Sequence, residues 1–141
     1  MKKLVFLLAS IITFTTCKKE DFDKTTYIGS FREYGAYITT INDTLRQVSY
    51  DSSSTNLFIL TKNSSHYTLN RVSSTGDVIP IKDNFELNQN NEFRDTIWGG
   101  YLMPDYHIYI RIEKDSLFVD RVKHVGRPNF YVWEAKAEKL D

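Results

Sequence analysis

Cysteine is almost missing from this chain: of 141 residues only Cys17 carries a thiol, so no internal disulfide braces the fold and stability has to come from packing. Proline and glycine are also scarce, at three and six residues, and punctuation between elements falls largely to Asn, Asp and Ser. Charge has no preferred sign, with 18 basic and 18 acidic residues, which gives no reason to expect nucleic acid as a partner. There are three histidines, His66, His107 and His124, and no two of them stand at a short metal-ligand spacing. A Gly-x-Ser-x-Gly elbow and a phosphate-cradling glycine loop are both missing. The close carboxylates, Glu20 with Asp21 and Glu113 near Asp115, belong to a charged leader and to a turn. Neither setting supplies the burial that drives two pKa values apart for acid and base work. These absences exclude no reaction individually, but together they predict no catalytic residue, no metal and no cofactor.

Apolar residues are common, yet from Lys24 to Asp141 they never recur at helical spacing over an extended stretch. What is present instead is a surplus of aromatics, nine Tyr, nine Phe and two Trp, among many Thr, Ile and Val. These residues suit a pleated, half-buried surface. Period-two alternation recurs at intervals of about ten residues, which predicts an all-β fold, barrel or sandwich. Ten strand-like segments can be marked, at 27–41, 45–50, 56–62, 66–72, 77–81, 84–88, 92–98, 106–114, 116–123 and 129–138. Turn chemistry separates them, including Asp51-Ser52-Ser53-Ser54 and Lys82-Asp83-Asn84. Short connectors predict an antiparallel meander.

The hairpin from Tyr106 to Lys123 makes the sharpest local prediction. A two-residue loop at Lys114-Asp115 sets Ile112 opposite Leu117 and Ile110 opposite Val119, with Arg111 opposite Phe118 and Tyr109 opposite Asp120 on the other face. The first face is the core side. Arg121 then falls opposite Ile108, so either a bulge intervenes or the core face opens to water at that end, where an inward arginine can hold an anion.

The one long apolar run lies at the start, Leu4 to about Phe14, preceded by Lys2 and Lys3 and followed by Phe14-Thr15-Thr16-Cys17. At this length it is short of the roughly 20 residues that span a bilayer. Its layout is that of a secretory signal. It resembles a bacterial lipoprotein signal with its lipobox, which implies a signal peptide at 1–16 and lipid attachment at Cys17. The alternatives are an ordinary signal peptide cleaved nearby or a short apolar helix buried in the domain. Lys18-Lys19-Glu20-Asp21 is similar to the tag that exports Bacteroidota lipoproteins to the outer face of the outer membrane, and it also reads as a solvated tether, here 17–26. The implied location is the cell surface, with the membrane as a partner through the anchor.

Tyr27-Ile28-Gly29-Ser30-Phe31 resembles the Gly-x-Trp opening of lipocalins, with Phe31 in place of Trp. That resemblance implies, for residues 27–141, a single lipocalin-like β-barrel of about eight to ten strands, with a β-sandwich as the alternative. The expected function is non-catalytic binding of a small apolar or amphipathic ligand. The alternative is a protein-interaction module, either an accessory subunit of an outer-membrane complex or an inhibitor of a secreted hydrolase. The irregular stretch holding Tyr101, Leu102 and Met103 is the expected partner surface for that case, and the C-terminal aromatics Tyr106, Tyr109, Phe118, Tyr131 and Trp133 either pack or stack on a partner. Finally, Asp43-Thr44-Leu45, Asp95-Thr96-Ile97 and Asp115-Ser116-Leu117 resemble Bacteroidota O-glycosylation acceptors, which implies Thr44, Thr96 and Ser116 as sites; the same tripeptides also simply begin strands.

Overall fold

A computed structural model describes residues 23–98, 104–124 and 129–141, the side chains at 98, 104 and 105 excepted. Cys17, the Lys18-Lys19-Glu20-Asp21 tag and Tyr101, Leu102 and Met103 therefore lie outside the described residues. Eight strands make up the rest: β1 (Asp23–Ile41), β2 (Thr44–Asn63), β3 (His66–Val72), β4 (Val78–Phe85), β5 (Glu92–Trp98), β6 (Pro104–Glu113), β7 (Ser116–His124) and β8 (Phe130–Lys139). They form one antiparallel sheet in the order β4-β3-β2-β1-β8-β7-β6-β5, so the last strand returns to pair with the first. The sheet curls into a half-barrel, with no helix among the described residues. There is one sheet rather than the two of a sandwich.

Eight strands replace the ten segments because two turn-like stretches are absorbed into ladders. Asp51-Ser52-Ser53-Ser54 is extended and pairs residue by residue with Tyr34 back to Phe31, so β2 runs unbroken through it. Long-range pairing with β1 has overridden the local turn preference of Asp and Ser. Lys82-Asp83-Asn84 stays within β4 as an irregularity: Leu69 faces Lys82 and Tyr67 faces Phe85, so Asp83 and Asn84 together stand opposite Thr68, one residue in excess, with Asn84 at φ 50°. That is a bulge, and it bends the edge strand. β1 also starts earlier than the domain boundary expected at Tyr27, since Asp23 through Thr26 already pair with Lys62 through Ile59.

The hairpin of β6 and β7 has the expected register throughout, from Ile112 opposite Leu117 to Ile108 opposite Arg121. Ile108, Ile110 and Leu117 are fully buried on its inner face, and no bulge precedes Arg121, so the core face opens at that end. The core itself fills the other end of the curled sheet. Phe58, Leu69, Ile108, Ile110 and Leu117 have no exposed surface, and Tyr27, Leu60, Phe85 and Ala137 pack with them. Gly29 faces Ala137 so closely that any Cβ on it would collide with the backbone at Lys136 and Ala137, so that position of β1 demands glycine.

Two features break the symmetry of the sheet. β4 and β5 share no ladder, and the half-barrel is drawn together there by side chains: Lys82 Nζ lies 2.8 Å from Asp95 Oδ2, and the rings of Phe85 and Phe93 meet at a tilt with centroids 5.0 Å apart. At the opposite side, β1 and β2 outrun their neighbours. β8 stops pairing at Ala36 and β3 at Leu57, so the hairpin beyond them is a two-stranded ribbon closed by Asn42 and Asp43, both at positive φ. Ile38, Ile41 and Leu45 stand exposed on it, Leu45 by 72%.

Candidate functional site

Alternation carries each inward strand face from the packed end toward an open mouth, and the residue types change on the way. On β7 the inward series is Leu117, Val119, Arg121, and on β3 it is Leu69, Arg71; the apolar members are buried and the arginines half-buried. On β1 Glu33 follows Phe31, and on β8 Trp133 precedes Ala135. The upper members of these series meet at a small depression of about 30 Å³. Its walls are Phe31, Ile79, Pro80, Ile81, Val119, Trp133 and Ala135, with Arg71 and Arg121 as its basic members.

Aromatic faces hold both guanidiniums. Arg71 lies 3.9 Å from the centroid of the Phe31 ring, and Arg121 lies 4.2 Å from Trp133 and 5.2 Å from Tyr106. Stacking of this kind stabilises a cation that has given up part of its hydration. Burial holds the Arg71 guanidinium below its ordinary pKa, with the charge of Glu33 acting the other way, and it stays protonated at any physiological pH. The Glu33 carboxylate accepts the indole N–H of Trp133 at 2.8 Å. Among the described residues neither Arg71 nor Arg121 has a carboxylate oxygen within 4.0 Å, whereas Arg32, Lys82 and Arg111 each do. Among the described residues, the arrangement sets two guanidiniums without carboxylate partners beside an apolar depression.

The histidines stand apart. His66 is beside Glu86 at the packed end, His107 meets the hydroxyl of Thr96 on the outer face of β6, and His124 ends β7. Among the described residues no three His, Cys, Asp or Glu side chains gather as metal ligands. The C-terminal aromatics divide between faces: Tyr106 and Trp133 join the mouth, while Tyr109 lies outside beneath Arg94 and Phe118 beneath Arg111. Of the three glycosylation-like hydroxyls, Thr44 is exposed at the ribbon tip, 3.4 Å from the Asn42 carbonyl. Thr96 is half-buried against His107, and the half-buried Ser116 hydroxyl donates to Glu138 at 2.8 Å.

Arg121 was legible in the sequence as the inward residue that broke an apolar series, whereas Arg71 and Glu33 were not. The signal for Arg71 was its two-residue spacing from Leu69, visible only once the inward parity of β3 is known. Comparison with family models, with curated proteins and with solved structures found no match. The fold and the mouth together define the class: a single-sheet, all-β half-barrel with a basic, aromatic-walled depression at its open end.

Proposed function

We propose that the chain is an outer-membrane lipoprotein, anchored through Cys17 and exposed at the cell surface, whose domain binds a small apolar or amphipathic ligand without catalysis. The observation that carries the binding reading is the mouth depression, apolar in its walls and furnished with two arginines free of carboxylate partners among the described residues. Chain direction supports the anchored reading. Asp23 enters β1 at the packed end, and Cys17 precedes it by six residues, so an anchor there holds that end to the membrane and turns the mouth outward. Several acyl chains at about 0.8 kcal/mol per buried methylene make such an anchor stable. Native mass spectrometry of the full chain extracted from its own membranes tests both halves: acyl mass on Cys17 and a small bound mass are expected. An unmodified Cys17 removes the anchor, and a chain without any companion of small mass removes the ligand.

A second reading, the protein-interaction module, is favoured by the ribbon. Its apolar residues Ile38, Ile41 and Leu45 lie beyond the sheet and contribute nothing to the buried core. Replacing all three with Ser is expected to leave the melting temperature nearly unchanged, since such exposed positions are worth within about 0.5 kcal/mol each. Under this reading the same substitution abolishes recovery of a stoichiometric protein companion; undiminished recovery moves the surface elsewhere.

A further inference from the structure

We infer that the open edge of β2 pairs with the same edge of a second copy, antiparallel about a two-fold axis at Ser49, and that the second copy stands on a facing membrane. This deepens the protein-interaction reading above by naming its partner, and it rests on that reading for the ribbon and on the proposed anchor for the membranes. Three observations carry it. First, the edges of the sheet are not treated alike. The outer edge of β4 holds Pro80, which has no N–H to offer, and the bulge at Asp83 and Asn84, two devices that keep a foreign strand from adding. β2 has neither, since it pairs with β1 from Thr44 to Lys62 without a register shift and contains no proline. β3 ends at Val72 opposite Leu57, and Ser73 to Asp77 turn there into β4, so among the described residues the open stretch of β2 runs from Thr44 to about Ser54. At about 3.4 Å per residue that edge is roughly 37 Å long. A further strand is what a marginal two-stranded ribbon needs.

Second, the open stretch complements itself. Opposite residues of an antiparallel pair share a face, so two copies that continue one sheet must match residues of the same parity. Laying Thr44 to Ser54 against itself centres the pairing on Ser49 and sets Arg46 opposite Ser52, Gln47 opposite Asp51 and Val48 opposite Tyr50. No charge faces its like. The Asp51 carboxylate, already held by Arg32 at 2.7 Å, meets an amide that can donate to it, and Leu45, exposed in one copy, gains a neighbouring strand.

Third, the direction of the chain decides where the second copy stands. A two-fold axis across antiparallel strands points the two packed ends away from each other. Ser49 lies opposite Ala36, which is about 43 Å along β1 from Asp23 and the anchored end. Two copies upright in one membrane cannot meet this way. Copies on facing membranes can, because the ribbon is the part farthest from the anchor.

The test uses Ser49→Lys and Ser49→Glu in the full chain, at a position that is exposed and outside the core. In non-ionic detergent, sedimentation equilibrium of the unaltered chain is expected to show a concentration-dependent dimer, and hydrogen exchange from Arg46 to Ser53, open in the monomer, slows as the dimer forms. Each variant sets like charges face to face at the axis and weakens the dimer by about tenfold or more, whereas an equimolar mixture of the two restores it. Gln47→Lys, which faces Asp51, leaves the dimer at least as tight. A monomer at every concentration overturns the inference; if a different protein is then recovered through Ile38, Ile41 and Leu45, the interaction reading stands without it. A dimer that persists in both Ser49 variants, or a mixture that restores nothing, overturns it as well. Vesicles carrying Ser49→Lys are expected to cluster with vesicles carrying Ser49→Glu and neither kind with itself. A detergent dimer without that clustering overturns the facing-membrane part, and a chain that does not insert into vesicles removes the anchor while leaving the dimer.

Discussion

At the residue scale, the tightest constraint in the sheet is Gly29. The collision that a side chain would make there is with backbone of β8, which cannot swing aside as a flexible side chain could. Gly29→Ala is therefore expected to destabilise the fold by about 2 kcal/mol, in the range of overpacking in a close-packed core, despite the higher strand propensity of Ala. The guanidinium chloride midpoint measures it, and an unchanged midpoint would mean that β1 and β8 can separate at no cost. Asp120 makes a prediction of a different kind. Burial pushes its carboxyl above the ordinary range; His107 opposes that and Glu134 reinforces it. A raised folded pKa means that the native state holds the proton more tightly than the unfolded chain. Stability then falls as pH rises from the ordinary carboxyl range through the raised value. Asp120→Asn, which has no charge to bury, is expected to be more stable than the parent at pH 7, with the advantage fading as pH drops below both values. Melting curves across that window decide it, and an advantage that persists in acid would implicate the amide's own contacts instead.

At the element scale, β1 and β2 do two jobs along one length. Their greater part lies within the sheet, and the stretch from Tyr37 to Val48 is a two-stranded ribbon. Between Asp23 and Ile41, β1 covers about 60 Å at the usual rise of about 3.3 Å per residue. Over Thr44 to Asn56, β2 has no neighbour on its outer edge among the described residues. Ribbons of two strands are marginal alone in water. The ring contacts at its base, Tyr37 with Tyr50 at 6.2 Å and Tyr50 with Tyr131 at 6.1 Å, secure its root, and the Asn129 side chain accepts the Ile38 N–H where β8 has ended. Hydrogen exchange is expected to divide β2 near Asn56: amides from Arg46 to Ser53 exchange by local opening, and those from Phe58 to Leu60 only with global unfolding. Uniform protection along β2 would mean that something covers the ribbon.

Whole-molecule behaviour turns on the seam. A sheet whose first and last strands pair in the middle leaves its two edges, β4 and β5, facing each other without a ladder. Lys82 and Asp95 are partly shielded there, with side chains 26% and 38% exposed, and Lys82 also lies over the Phe93 ring at 5.3 Å. A double-mutant cycle with Lys82→Ala and Asp95→Ala is expected to return a coupling of about 1 kcal/mol, above the usual value of an exposed pair. Coupling near zero would assign closure of the half-barrel to Phe85 and Phe93 alone. Because Ile79, Pro80 and Ile81 of β4 wall the mouth, loosening the seam is also expected to weaken whatever binds there.

Local rules carried the strand content, the meander and the register of β6 with β7, because alternation and two-residue loops act over neighbouring residues and their signal is present in the chain itself. The same locality explains the errors. Asp51-Ser52-Ser53-Ser54 and Lys82-Asp83-Asn84 have the chemistry of turns, and only a partner strand made the first an extended segment and the second a bulge. The sequence by itself determined that the chain is all-β, that Arg121 falls opposite Ile108, and that its first residues have the layout of an export signal. Tertiary structure alone decided that β8 closes on β1, that the ribbon extends past its neighbouring strands, and that Arg71 and Arg121 share one depression. Those outcomes depend on how far the whole sheet twists and curls, a sum over eight strands that no single stretch of sequence encodes.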